Sequence, residues 1–174
     1  MATDPSPRDV TFANTNVVLA GSLTVPDRDE LTPGVVMVGG SGPADRTNDG
    51  YFAAIRRHLV KAGIAVLSYD KRGVGASSGE WRDATLDDLA TDAIAALNFL
   101  RAQGGVRIDK VGLFGHSEGG WVVLLAAARH DDVPWLITNS CPAMTPAAQD
   151  RYALTTALRQ TQWIKLRTGI DPGT

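Results

Sequence analysis

Three continuous apolar runs constrain this chain more than any other feature: GVVMVGG at 34–40, IAVLSYD at 64–70 and KVGLFG at 110–115. A short run without polar alternation fits a strand covered on both faces. Between the first and second runs, Phe52, Ile55 and Leu59 share one helical face, and Lys61-Ala62-Gly63 supplies a basic last turn with a glycine C-cap. Between the second and third, Leu86, Leu89, Ala93, Ala96, Leu97 and Leu100 recur at helical spacing, and Thr85 with Asp88 three residues on predicts a variant of the capping box. A third helix at 119–129 and a fourth strand, WLITNS at 135–140, read as buried like the others, continue the alternation. Such an alternation demands right-handed crossovers and a parallel sheet with helices on both faces. Ligands of these sheets bind at the carboxyl ends of the strands, where the loops after Gly40, Asp70 and Gly115 fall.

The two ends of the chain depart from this pattern. Residues 10–13 and 17–25 are rich in β-formers and separated by Asn14-Thr15-Asn16, which predicts an antiparallel hairpin ended by Pro26. Beyond Ser140, CPAMTPAAQ reads as a proline-bearing connection, and 152–167 as an amphipathic helix carrying Leu154, Leu158, Trp163 and Leu166. The expected organisation is a core over 1–143 and the start of a helical cap over 144–174. A chain of 174 residues has the size of one domain, burying roughly two-thirds of its unfolded surface.

With 44% apolar and 21% charged residues, the composition is that of a soluble globular protein. A net charge of −2 offers no broad attraction to phosphate backbones or anionic lipid, so neither nucleic acid nor membrane is expected as a partner. The start, MATDPSPRDV, lacks the basic and apolar regions of a secretion signal, and no apolar run has the length to span a bilayer; the cytoplasm is the expected location. Cys141, the single cysteine, rules out an intrachain disulfide and a zinc cluster, and reads as a small buried apolar side chain.

The motif that carries chemistry is GHSEG, 115–119, which fits G-x-S-x-G. It directly follows a predicted buried strand and directly precedes a helix, the setting in which this motif holds a serine hydroxyl clear on a strained turn. A glycine-rich turn whose serine merely caps the next helix would have the same letters. A second motif, GGSGP at 39–43, ends the first parallel strand. Glycines there let backbone approach a substrate, and the N–H groups of Ser41 and Glu118 are the expected oxyanion donors; a plain turn is the alternative. The glycines at 73 and 75 fail other templates. Gly73-x-Gly75-x-x-Ser78 lacks the third glycine of a dinucleotide fingerprint, and no Gly-Lys-Ser/Thr of a P-loop is present.

Taken in order, the hairpin, GGSGP, SYDKRGVGAS and GHSEGG resemble the α/β-hydrolase superfamily over about 10–143. The likeness is to its carboxylesterase and acyl-thioesterase branch, grouped in sequence with serine aminopeptidase-like and dienelactone-hydrolase-like proteins. The resemblance implies a three-layer α/β fold with a mostly parallel sheet, Ser117 as nucleophile, and an oxyanion loop near Ser41. It also implies a structural turn over 70–75 whose charged pair braces loops, a small acyl ester or thioester as substrate, and no metal or organic cofactor. Serine at the elbow separates the chain from dehalogenase and epoxide-hydrolase relatives, which use aspartate, and from dienelactone hydrolases proper, which use cysteine.

A nucleophilic serine needs a base. Of the three histidines, His116 adjoins Ser117 on the same tight turn and is expected to point away and pack; His58 lies within the first helix and His130 near the end of the third. The family places the partners later, in the order Ser, Asp or Glu, His. After Ser117 the acids are Glu118, Asp131, Asp132, Asp150 and Asp171, and no histidine follows His130. On the family's pattern the six strands counted are the first six of eight, and both partners fall beyond Thr174. Three explanations stand: a fragment of a longer hydrolase, an inactive binding protein of the same fold, or a missing half supplied by another chain. A peptidase or acyltransferase of this fold shares the motifs. Under each, the exposed edge of the sixth strand would favour self-association.

Overall fold

The computed structural model describes residues 5–168, with side chains as far as Arg159. The chain divides into two compact units, Met1–Cys141 and Pro142–Thr174.

In the first unit, β1 (Arg8–Asn14) and β2 (Val17–Thr24) pair antiparallel with Asn14 opposite Val17, leaving Thr15 and Asn16 as a two-residue turn. Thr15 has φ 53°, the positive angle that hairpin turns matched to strand twist require at their first central residue. The remaining strands are β3 (Thr32–Val38), β4 (Ala65–Tyr69), β5 (Val106–His116) and β6 (Leu136–Asn139). The sheet runs β1-β2-β4-β3-β5-β6, with β2 antiparallel to β4 and the pairs β4-β3, β3-β5 and β5-β6 parallel.

The helices α1 (Phe52–Lys61), α2 (Leu86–Arg101) and α3 (Glu118–Arg129) fill the crossovers. Side chains alternate across a strand, so β3 feeds both faces. Val36 and Val38 join Leu67 and Leu113 in a core with Leu97 of α2 and Val123 of α3. Val35 and Met37 join Val66 and Phe114 in a second core with Phe52 and Val60 of α1. Each such fully buried side chain contributes about 1.5–3 kcal/mol, which is why these apolar runs become the central strands. At the start of α2, Thr85 Oγ1 accepts from the Asp88 N–H at 3.1 Å and Asp88 Oδ2 accepts from the Thr85 N–H at 2.9 Å, completing the capping box.

The sequence expectations fail in three places. WLITNS is not a buried strand: only Leu136–Asn139 is extended, Ile137 is 48% exposed, and among the described residues β6 pairs with β5 alone. An edge strand can carry apolar letters without a neighbour to cover them. Cys141 is half-buried rather than enclosed. In the second unit the helix, α4 (Pro146–Thr168), starts well before residue 152. Thr145 caps it, its Oγ1 accepting from the Ala148 N–H at 3.3 Å and its carbonyl from the Gln149 N–H at 3.0 Å. Pro146 takes the first helical position, where a missing N–H costs nothing, so the end of the expected connection starts the helix. On α4 Tyr152, Leu154 and Leu158 are exposed; the side chains of Trp163 and Leu166 lie outside the described ones. Among the described residues no helix is long and apolar enough to cross a membrane.

Candidate active site

The strand order sets where a site can form. The chain leaves β3 for β4 on one side, then returns across β3 to reach β5 on the other, so the loops after β3 and β5 flank a topological switch point.

Ser117 stands between β5 and α3 at φ 53°, ψ −119°. A non-glycine residue held there stores about 1–3 kcal/mol of strain, so its surroundings must over-determine it. They do. The Ser117 N–H donates to the Asn139 carbonyl and the Gly120 N–H donates to the Ser117 carbonyl, both at 2.9 Å. A Cβ on Gly115 would run into the Gly119 carbonyl; one on Gly119 would stand 2.5 Å from the Val38 oxygen and 2.6 Å from the Gly39 oxygen. A Cβ on Gly120 would collide with the Cys141 side chain. Burial pushes the Cys141 thiol up, away from the reactive thiolate.

The loop after β3 lies against this turn. A Cβ built on Gly40 would be 3.5 Å from Ser117 Cβ, and the Gly40 N–H is held by Asn48 Oδ1 at 2.9 Å. Ser41 follows, exposed to solvent. Among the described residues the N–H groups of Ser41 and Glu118 donate no hydrogen bond. For Glu118 the reason is positional: as the first residue of α3 its N–H has no intrahelical acceptor. Each of the two loops that meet at Ser117 thus carries one backbone N–H that donates no hydrogen bond among the described residues.

The turn over 70–75 supplies the braces. Asp70 accepts from Arg46 Nη2 at 2.8 Å, from Arg46 Nε at 3.1 Å, and from the N–H groups of Arg46 at 2.8 Å and Ala76 at 3.1 Å. Burial alone would raise the Asp70 carboxyl, but these hydrogen bonds, with the Arg46 charge, outweigh it and hold it below the usual carboxylate range. Arg72 donates to Asp92 through Nε at 2.8 Å and Nη2 at 2.9 Å, tying the turn to α2. Lys71, between them, faces the site instead: its Nζ donates to the Gly40 carbonyl at 2.7 Å and to Glu118 Oε1 at 2.8 Å. Sequence reasoning grouped Lys71 with the braces.

His116 Nδ1 is 2.9 Å from Asn139 Oδ1, which also accepts from the Tyr51 hydroxyl at 3.0 Å, and the Tyr51 and His116 rings lie 4.4 Å apart. His58 and His130 are exposed. Asn139 and Tyr51, neither marked by any motif, hold the histidine beside Ser117 in a fixed place.

A mostly parallel sheet between helix layers, with a serine forced to positive φ where β5 meets α3, defines an α/β hydrolase. Residues 45–171 match the family described as serine aminopeptidase, S33, and the chain belongs to that family. The uncharacterized protein PA2218 of Pseudomonas aeruginosa is 27% identical over 157 residues, 88% of this chain and 42% of that one. The bifunctional esterase/perhydrolase DCH of Acinetobacter calcoaceticus is 35% identical over 76 residues, 44% of this chain and 25% of that one. The crystal structure of the α/β hydrolase GrgF from Penicillium sp. sh18 superposes with a TM-score of 0.67 at 26% identity, covering 95% of this chain and 56% of GrgF. The chain therefore spans about half, or less, of the length of the relatives it matches.

Proposed function

We propose that this chain carries the nucleophile and oxyanion donors of a serine hydrolase of carboxylic esters or thioesters. Ser117 Oγ attacks the acyl carbon, and its proton passes to a base as the carbonyl oxygen becomes an oxyanion between the Ser41 and Glu118 N–H groups. The alcohol or thiol leaves with a proton, and water then releases the acid and frees Ser117. No cofactor enters these steps. The observation that supports the reading is the approach of the loop after β3 to the strained serine at Gly40, with the Ser41 and Glu118 N–H groups donating no hydrogen bond among the described residues.

The base and its acid are assigned to chain outside these residues, because His116 is engaged by Asn139 and Tyr51 while His58 and His130 are exposed on other elements. The ester preference follows the name of DCH; the family's own description favours an aminopeptidase as the second reading.

The test supplies the missing base. The 174-residue chain is expected to turn over p-nitrophenyl butyrate poorly, and an uncharged fluorophosphonate is expected to label Ser117 slowly and faster with added imidazole, with no adduct in Ser117→Ala. Labelling that ignores imidazole and persists in Ser117→Ala would sink the proposal. Release of p-nitroaniline from leucyl-p-nitroanilide outpacing that of p-nitrophenol from the ester would move it to the peptidase.

A further inference from the structure

We infer that Lys71 is the positioning residue of the oxyanion site, its ammonium fixing the peptide that carries the Ser41 N–H and neutralising the Glu118 carboxylate. The inference rests on the serine-hydrolase reading above and adds a residue to it.

The geometry is specific to the two donors. The Gly40 carbonyl and the Ser41 N–H belong to one planar peptide, so an ammonium 2.7 Å from that oxygen fixes the direction in which the N–H points. Charge on the oxygen side also polarises the peptide and strengthens the donor on its other side. The second contact concerns the other donor. Glu118 has its carboxylate in the first turn of α3, where the helix dipole favours it, yet its own N–H is the one that must meet a developing negative charge. An unpaired carboxylate there would oppose the oxyanion. Lys71 Nζ lies 2.8 Å from Glu118 Oε1 and cancels that charge.

Lys71 is also built into place. Its side chain is 9% exposed, and together with Val38, Ala44, Tyr69, Leu89 and Val122 it walls a small enclosed cavity. Because those neighbours are mostly apolar, a methionine, unbranched like lysine, suits the position while lacking the charge and the hydrogen bonds. Lys71→Met is therefore the variant that deletes the proposed device, with a circular dichroism melt to check that it folds.

The test uses the 174-residue chain, an uncharged fluorophosphonate and imidazole. In this reaction Ser117 Oγ bonds to phosphorus, fluoride leaves, the proton goes to imidazole, and the phosphoryl oxygen occupies the oxyanion position. Lys71→Met is expected to lower the labelling rate by on the order of tenfold to a hundredfold, less than the ~10²–10³ lost with an oxyanion donor itself. Lys71→Arg should restore part of the rate, and Lys71→Met combined with Glu118→Gln should be faster than Lys71→Met alone, since the opposing charge is gone. Amide exchange at Gly40, whose N–H is held by Asn48 Oδ1, should quicken in Lys71→Met while that of β5 stays unchanged. A merely structural lysine would give no recovery from Glu118→Gln, and that outcome, or a Lys71→Met rate equal to wild type with no adduct in Ser117→Ala, would overturn the inference alone. An adduct that survives Ser117→Ala would instead overturn the hydrolase reading on which it stands.

Discussion

Arg72 and Asp92 form an ion pair in which the acid has no exposed surface at all: Arg72 Nε lies 2.8 Å from Asp92 Oδ2, and Asn14 Nδ2 donates to Asp92 Oδ1 at 2.7 Å. One carboxylate of α2 thereby joins the hairpin and the loop after β4. Removing one partner of a buried pair leaves the other charge uncompensated, at a cost of about 3–5 kcal/mol, whereas replacing both with apolar side chains is often neutral. Asp92→Ala should lower the stability measured by urea unfolding by that amount, and Arg72→Met with Asp92→Leu should lose clearly less. Equal losses would mean that the pair contributes only its packing.

The Asp70 carboxyl predicts the acid side of the stability curve. Its folded-state pKa is held below the unfolded value of about 3.9, so it stabilises the fold fully above that value and the contribution is lost as pH falls through the folded value. Urea midpoints of the wild type should therefore fall on acidification below about pH 4. Asp70→Asn should start lower and fall less steeply over the same window; a parallel curve would remove Asp70 from the cause.

Much of this was legible because local and global preferences agree. GVVMVGG had to become a strand covered on both faces, Thr85 and Asp88 had to cap α2, and the two glycines around Ser117 had to accompany a strained turn. What escaped depends on chain that is distant in sequence. Asn139 lies 22 residues or more from the groups it holds at Ser117 and Tyr51 in no motif, and the sequence pattern does not reveal that its carbonyl and side chain face β5. Lys71 shares a short charged run with Asp70 and Arg72, yet only the sheet order puts β4 beside β3 and so brings its ammonium to Gly40. The early start of α4 is readable from Thr145-Pro146, a cap followed by a proline at the first helical position, within the segment expected to be a connection.

Gly119 admits no side chain. A Cβ would stand 2.5 Å from the Val38 oxygen and 2.6 Å from the Gly39 oxygen, both backbone atoms of the central strand and its loop. Gly119→Ala should cost more than about 4 kcal/mol, the range reserved for severe steric lesions, and leave little folded protein. Gly42 is the control: at φ +74° with no atom within 4 Å of a built Cβ, Gly42→Ala carries only the backbone penalty of about 1–2 kcal/mol. Circular dichroism melts of the two variants should differ accordingly.

The edge of β6 predicts association. Ile137 is 48% exposed on a strand that pairs only with β5 among the described residues, and unpaired strand edges recruit other strands unless charged. The sedimentation coefficient of the 174-residue chain should rise with concentration, and Ile137→Lys should flatten that rise. A coefficient that stays constant for both would show that this edge does not associate.

Ser117 should be a position where glycine is more stable than either serine or alanine. At φ 53°, ψ −119° a serine or an alanine bears about 1–3 kcal/mol of strain that a glycine does not. Glycine gives back about 0.5–1 kcal/mol through its freer unfolded chain, so Ser117→Gly should be more stable than Ser117→Ala by about 1 kcal/mol, with Ser117→Ala close to wild type. Urea unfolding of the three proteins reads this directly. If alanine and glycine were equally stable, the turn would impose no strain, and the glycines packed around it would be needed for close packing alone. If glycine is more stable, the chain keeps a serine at a cost in stability, which is how a hydroxyl retained for its position rather than for its packing behaves.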